Sequence, residues 1–138
     1  MANEVTFLLD TNAISELMRE DARVEHWMAG LGPQDRVVTC PIVRGEILFG
    51  ISRLPEGKRR AELEQTAHQF LDTFHCEPVP EGAGDLYAAV KFSRYQRGLA
   101  LDENDLWVAA TALALGATLV SRDSDFAKIE GLAVVAPA

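Results

Sequence analysis

Near its start the chain reads VTFLLDTN, from Val5 to Asn12, a short apolar run that ends abruptly in polar residues. The run from Val5 to Leu9 predicts a buried strand, because it is rich in β-prone residues and apolar on both faces. Asp10 ends this strand, and Asn12 is expected to cap a helix that begins at Ala13. A strand that passes directly into a helix indicates an α/β fold.

Strands and helices continue to alternate along the rest of the chain. Helices are predicted at Val24 to Met28, Pro41 to Leu54, Lys58 to Phe74, Ala83 to Arg97 and Asp102 to Leu115. Further strands are predicted at Val37 to Thr39, between Pro78 and Pro80, at Thr118 to Val120 and at Leu132 to Val135, with a polar turn from Ser121 to Phe126. We therefore expect a mainly parallel sheet with helices on both faces, whose functional site lies beyond the carboxyl ends of the strands.

Length and composition favour a single domain covering residues 1–138. The chain is 48% apolar and 25% charged, which is typical of a folded globular protein. No apolar run reaches the roughly 18 residues that a membrane span needs, so we expect a cytoplasmic protein. Cys40 and Cys76 form no C-x-x-C pattern, which predicts reduced cysteines and argues against a zinc or redox site.

The formal charge of −8 argues against broad attraction to nucleic acid, which clustered Lys and Arg normally provide. That objection weakens if part of the acidic excess lies in one site that divalent cations neutralise. A basic partner would be attracted to the same surface.

Four acids lie at the ends or edges of predicted elements: Asp10, Glu46, Asp105 and Asp123. Each also has a purely structural interpretation. Asp10 and Asp105 suit helix caps, with Asp102 as N-cap before Asp105, while Glu46 suits a solvated helix edge. Asp123, with Asp125, suits a surface turn. Together they suit Mg²⁺, which takes oxygen ligands and usually few carboxylates.

Other catalytic patterns are missing from the sequence. His26, His68 and His75 show no H-E-x-x-H spacing, so a zinc site is not expected. There is also no G-x-S-x-G nucleophile elbow and no phosphate-binding Walker loop. Hydrolysis assisted by carboxylate-bound metal is the chemistry that the residues favour.

Four segments taken together resemble the PIN-domain family, and in particular its VapC-type toxins. They are Leu8-Leu9-Asp10-Thr11-Asn12, Arg44-Gly45-Glu46, Asp105-Leu106-Trp107-Val108-Ala109-Ala110 and Leu119-Val120-Ser121-Arg122-Asp123-Ser124-Asp125-Phe126. The resemblance spans nearly the whole chain, in the same order. It implies a three-layer α/β/α sandwich and a metal-dependent endoribonuclease, the toxin of a toxin–antitoxin pair.

The resemblance also implies roles for individual residues. Asp10, Glu46, Asp105 and Asp123 take the places of the family's metal-binding, catalytic acids, and the auxiliary positions are Thr11, Asn12, Ser121 and Asp125. Mg²⁺ is the implied cofactor, with Mn²⁺ as a substitute, and the RNA products would carry 5′-phosphate and 3′-hydroxyl ends. The implied partners are a VapB-like antitoxin and a second copy of the chain.

Two other functions are weighed against this one. A haloacid-dehalogenase-type phosphatase also opens with a strand that ends in Asp, but it needs a second acid where Asn12 stands, and an amide cannot transfer the proton. A catalytically silent PIN-fold module that acts only through a partner would be favoured by an incomplete set of acids. All four acids are present, which favours catalysis.

Overall fold

The computed structural model describes residues 4–138, so residues 1–3 of the predicted domain lie outside the described part. Strands and helices alternate along the chain, as the sequence predicts. In chain order they are β1 (Thr6–Leu9), α1 (Thr11–Met18), α2 (Ala22–Ala29), β2 (Arg36–Thr39), α3 (Pro41–Ser52), α4 (Lys58–Thr73), β3 (His75–Cys76), α5 (Gly82–Gln96), α6 (Glu103–Leu115), β4 (Thr118–Val120), a 3₁₀ helix (Ser124–Lys128) and β5 (Val134–Val135).

The five strands form one parallel sheet in the order β3-β2-β1-β4-β5. In the central pairing Leu8 lies opposite Leu119 and Leu9 opposite Val120. Because all strands run the same way, the carboxyl ends of β1 and β4 meet at one edge of the sheet. The backbone N–H of Asp10 donates to the carbonyl of Val120 at 3.2 Å, which ties the two ends together.

The core lies on the central strands and the helices packed against them. Leu8, Leu9, Leu119 and Val120 have no exposed surface, and Val38 has 1%. A parallel sheet covered on both faces requires such continuous apolar strands. The predicted α/β/α architecture is confirmed. Among residues 4–138 there is no helix with the length and apolar character that crossing a bilayer requires.

The prediction that Asn12 caps a helix beginning at Ala13 is wrong. Helix α1 already begins at Thr11, and its N-cap is Asp10, whose carboxylate accepts a hydrogen bond from the backbone N–H of Ala13 at 2.7 Å. An Asp side chain satisfies the unpaired N–H groups of a first turn as well as Asn does, and the strand leads directly into the helix here. The other five helices begin and end within two residues of their predicted bounds.

Two predicted strands also differ from the structure. The third strand was expected between Pro78 and Pro80, whereas β3 is His75–Cys76, paired with Val38 and Thr39. The prolines lack the N–H that a ladder needs, so pairing stops after Glu77 donates to the Thr39 carbonyl. The last strand is shorter than expected and covers only Val134–Val135. The predicted polar turn after β4 runs into the 3₁₀ helix Ser124–Lys128.

Candidate active site

A polar cavity of about 220 Å³ opens beyond the carboxyl ends of β1 and β4. It contains all four of the acids singled out in the sequence, which come from four separate segments of the chain. Its lining consists of Asp10, Thr11, Asn12, Glu46, Asp105, Val108, Asp123 and Phe126. The fold therefore brings together in space carboxylates that are up to 113 residues apart in sequence (123 minus 10).

Asp10 lines this cavity and is only 5% exposed. Burial raises the pKa of its carboxyl, while hydrogen bonds from the Ser121 hydroxyl and the Ala13 backbone oppose that rise. Asp10 thus caps helix α1, as its structural interpretation predicts. Capping by itself does not explain the other carboxylates, and the negative charge of Asp123 also raises the pKa of Asp10.

Glu46 reaches the cavity from the middle of α3, where a neighbouring hydroxyl holds it. The Thr11 Oγ1 donates to Glu46 Oε1 at 2.8 Å. The sequence marks Thr11 as a hydroxyl near the site but does not disclose this partner, which is 35 residues away. The hydrogen bond restricts the Glu46 carboxylate to a position beside Asp10, the N-cap of the helix that carries Thr11.

Asp105 projects into the cavity from the first turn of α6. Burial raises the pKa of its carboxyl to about 6, and the nearby charges of Glu46, Asp102, Asp123 and Asp10 add to the rise. Asp102 is the N-cap residue of α6 as predicted, but its side chain makes no capping hydrogen bond. The raised pKa of Asp105 reflects burial first and repulsion from the neighbouring acids second, and a bound cation would relieve that repulsion.

Asp123 and Asp125 have different positions, although they are close in sequence. Asp123 lines the cavity and caps the 3₁₀ helix, its Oδ1 accepting from the Asp125 backbone N–H at 2.9 Å. The side chain of Asp125 is 47% exposed and lies 3.6 Å from Lys128 Nζ. The lining of the cavity therefore includes Asp123 but not Asp125, whose auxiliary role stays a prediction.

The other predicted positions lie in or against the site. Asn12 lines the cavity directly. Ser121 is buried and hydrogen bonds with Asp10 while its Oγ accepts from the Asp123 backbone N–H at 3.0 Å. Arg122 pairs with Glu16, which makes it a structural ion partner.

Two apolar residues of the lining were not predicted as site residues. Val108 is one turn beyond Asp105 on α6, and Phe126 follows Asp123 in the 3₁₀ helix. Both are almost fully buried. Sequence spacing was the only signal that could have identified them, because a side chain one turn from a site residue lies on the same face of the helix. As buried apolar residues of the lining, they lower the polarity of the cavity.

The donors in the cavity fit a hard divalent cation. Its ionisable groups are all carboxylates, and Mg²⁺ usually binds one or two of them together with water and substrate phosphate. Among residues 4–138, no group of three or more His, Cys, Asp or Glu side chains is placed to hold a metal ion by itself. The arrangement therefore suits an ion held by few carboxylates, with the remaining positions left to water and substrate.

The family model described as "PIN domain" matches residues 7–132, which includes every residue of the cavity. This chain belongs to the PIN domain family. The family predicted from the sequence is thereby confirmed. Asn12 lines the cavity at the position where the phosphatase considered as an alternative needs a second acid. The catalytic roles of Asp10, Glu46, Asp105 and Asp123 stay predictions.

Relatives of this PIN domain match it over nearly their whole length. The plasmid stability protein StbB of Pseudomonas syringae pv. tomato is 31% identical, covering 94% of this chain and 96% of StbB. The VapC ribonuclease Y4jK of Sinorhizobium fredii is 30% identical over the same shares of the two chains. Among solved structures, VapBC-5 of Mycobacterium tuberculosis, a member of the VapBC family of toxin–antitoxin systems, gives a TM-score of 0.71 at 25% identity and covers 96% of this chain and 97% of its own.

Proposed function

We propose that this PIN domain is a divalent-metal-dependent endoribonuclease and the toxin of a toxin–antitoxin pair. One observation carries the proposal: Asp10, Glu46, Asp105 and Asp123 meet in one cavity, where burial, reinforced by the charges of the other acids, raises the pKa of Asp105 to about 6. Carboxylates crowded in this way favour a bound cation. The likeness to the ribonuclease Y4jK over 94% of this chain supports RNA as the substrate class.

Asp10 and Asp105 are the proposed principal ligands for Mg²⁺ or Mn²⁺, with Glu46 and Asp123 completing the site around water. When bound, the ion would supply the positive charge that activates water for attack on a phosphodiester and stabilises the charge that develops on the phosphate. Thr11 orients Glu46 by its hydrogen bond, and Ser121 orients Asp10 and the backbone of Asp123. The buried apolar side chains of Val108 and Phe126 lower the polarity of the cavity, which strengthens these electrostatic interactions.

The proposed partner is an antitoxin that presents a basic segment to the acidic cavity. The chain carries a formal charge of −8, and a basic segment is attracted to that charge and to the carboxylates in particular. The toxin–antitoxin description of VapBC-5 supports this type of partner. A homodimer, a single domain over residues 1–138 and a cytoplasmic location belong to the same proposal.

The test is cleavage of a mixed pool of structured RNAs by the purified protein in Mg²⁺, in Mn²⁺ and in EDTA. We expect cutting that depends on the metal, with 5′-phosphate and 3′-hydroxyl product ends. Asp105→Asn should lose at least about a hundredfold in rate, because it removes a charge that the cation needs. The matched control is Asp85→Asn, an exposed acid in the first turn of α5 and outside the cavity.

The control separates a site effect from a general effect of charge. Equal cleavage by Asp85→Asn and the unaltered protein, with loss in Asp105→Asn, supports the proposal. Cutting that persists in EDTA would contradict metal dependence. Binding of Mg²⁺ without cleavage of any RNA in the pool would favour the catalytically silent module.

A further inference from the structure

Three arginines near the candidate active site have no acidic partner. Many cations of the chain are ion-paired, for example Arg23 with Asp21 and Arg44 with Asp72. Among residues 4–138, by contrast, Arg19, Arg53 and Arg59 form no ion pair within 4 Å. In a chain with 21 acids and 13 Lys and Arg residues, unpaired arginines at one place need an explanation.

All three arginines line a single cavity of about 450 Å³ between α1, α3 and α4. Thr11 and Glu46 line this cavity and also the polar cavity that contains the four acids. The arginine-lined cavity is therefore a direct continuation of the candidate active site. Positive charge begins where the cluster of carboxylates ends.

An exposed aromatic ring lies on the same side of the site. Phe49 is 65% exposed, although exposed Phe is unfavourable in water. It follows Glu46 by one turn of α3, and the Arg53 guanidinium lies 5.3 Å from the centroid of its ring. Phe49 and Arg53 line a third cavity, of about 540 Å³, whose lining again includes Thr11 and Glu46.

We propose that Phe49, Arg53, Arg19 and Arg59 form the surface that binds single-stranded RNA beside the cleavage site. Phe49 stacks against an unpaired base, and the arginines contact phosphates of the same strand. The proposal rests on the proposed ribonuclease function and adds the path of its substrate. This surface, called the arginine track below, would allow a protein with a charge of −8 to bind nucleic acid, because its cations lie together on one side of the site.

The combination of groups favours RNA as the occupant. Aromatic rings with adjacent arginines are the usual platform for unpaired bases, and unpaired guanidinium groups match phosphate better than they match an apolar protein surface. The arginine track adjoins the carboxylate cavity. An RNA strand that brings a phosphodiester to the acids would therefore pass along it. Stacking on Phe49 requires an unpaired base, so the surface selects single-stranded segments.

The arginines are tested by the binding of a fluorescent single-stranded RNA of mixed sequence to the Asp105→Asn protein in Mg²⁺, at several salt concentrations. Replacing Arg19, Arg53 and Arg59 together by Gln should weaken binding and reduce the slope of log affinity against log salt by about 2, since each phosphate contact on a single strand contributes about 0.7. The control is Arg97→Gln, an unpaired arginine on a separate cavity beside α5. An unchanged slope in the triple variant, or a fall of about 0.7 for Arg97→Gln, as large as each of the three arginines is expected to contribute, would overturn the proposal.

Phe49 is tested by Phe49→Leu and Phe49→Tyr in the same assay. Phe49→Leu keeps an apolar side chain but loses the aromatic face, and it should bind single-stranded RNA about tenfold more weakly. Phe49→Tyr should bind nearly as well as the unaltered residue. With a duplex RNA as probe, all three proteins should bind alike, because no unpaired base is available.

Other occupants of this surface give different results. Light scattering reports whether Phe49→Leu changes the oligomeric state, and a change in mass with unchanged RNA affinity would assign Phe49 to a protein interface and overturn the proposal. The test of the arginine track can also fail without contradicting the ribonuclease function. Metal-dependent cleavage that is lost in Asp105→Asn but unaffected by the track variants leaves the nuclease intact and rejects only the RNA path.

Discussion

Asp105 illustrates the conflict between stability and function at the scale of one residue. Its carboxyl is half-buried and surrounded by other acids, so its pKa rises to about 6 from a usual value of 3.8. The folded protein therefore holds a proton there that the unfolded chain releases over that range of pH. In linkage terms the unfolded state binds fewer protons, and stability falls as the pH rises through this window.

Asp105→Asn should therefore stabilise the metal-free protein. In EDTA at neutral pH we expect a gain of about 1 kcal/mol in the free energy of unfolding, after allowance for solvent screening of a half-buried group. The loss of stability between about pH 4 and 6 should be smaller in the variant than in the unaltered protein. Urea denaturation across this range measures both effects, and indistinguishable pH profiles would contradict the environment described for Asp105.

Asp10 combines a cap with a candidate metal ligand, and two substitutions separate these roles. Asn retains an oxygen that accepts from the Ala13 backbone N–H, whereas Ala does not. We expect Asp10→Ala to unfold with about 1 kcal/mol less free energy than Asp10→Asn, while neither cleaves RNA. Urea denaturation in EDTA and the cleavage assay are the measurements. Equal stability of the two variants would show that the cap contributes little.

At the scale of elements, the helices that carry the acids are fixed by signals at their ends. Helix α3 begins at Pro41, where a missing N–H costs nothing, and this places Glu46 in its second turn. Helix α6 ends at Leu115 and is capped by Gly116, whose φ of 63° lies in the left-handed region that favours glycine. These local signals set the register of each helix and hence the position of its carboxylate.

Two glycines with different backbone conformations should respond to the same substitution in opposite directions. Gly116→Ala should lower the free energy of unfolding by about 1 kcal/mol, because Ala is strained at positive φ although no atom lies within 4 Å of its Cβ. Gly45→Ala, inside α3 with equally open space, should raise it by about 0.5 to 1 kcal/mol. Denaturant titration of both variants measures these changes in the free energy of unfolding. A loss of stability in both variants would indicate that packing, and not the φ angle, determines the effect of the substitution.

At the scale of the whole molecule, the parallel sheet determines where the functional residues meet. The strand order β3-β2-β1-β4-β5 places β1 between β2 and β4. The residues that follow β1 and β4, Asp10 and Asp123, therefore lie side by side at one edge. Helices α3 and α6 bring Glu46 and Asp105 to the same edge. The repulsion among these acids is a property of the complete fold.

Relief of that repulsion should make the protein more stable when metal is present. A cation that binds only the folded state adds about 2.7 kcal/mol at a concentration one hundred times its dissociation constant. Mg²⁺ should therefore raise the melting temperature of the unaltered protein and of Asp85→Asn, but have little effect on Asp10→Asn or Asp105→Asn. Thermal unfolding with Mg²⁺ and with EDTA tests this expectation. A similar rise in all four proteins would indicate a general effect of the salt.

Much of the fold could be predicted from the sequence because its signals are local. The apolar run before Asp10, the proline that begins α3 and the glycine that ends α6 each act within a few residues. The third strand was misplaced because two residues carry too little pattern to locate a strand. The cap of α1 was assigned to Asn12 because Asp and Asn at neighbouring positions are equally good caps.

The sequence by itself determined the order of strands and helices, the PIN-type set of acids and the carboxyl-end location of the site. Only the tertiary structure decided that Asp123 and not Asp125 lines the cavity, that Thr11 holds Glu46, and that three unpaired arginines continue the site. The physical reason is the separation along the sequence over which each interaction acts. Periodicity and capping depend on residues a few positions apart, whereas a contact between Thr11 and Glu46, 35 residues apart, depends on how the whole chain packs.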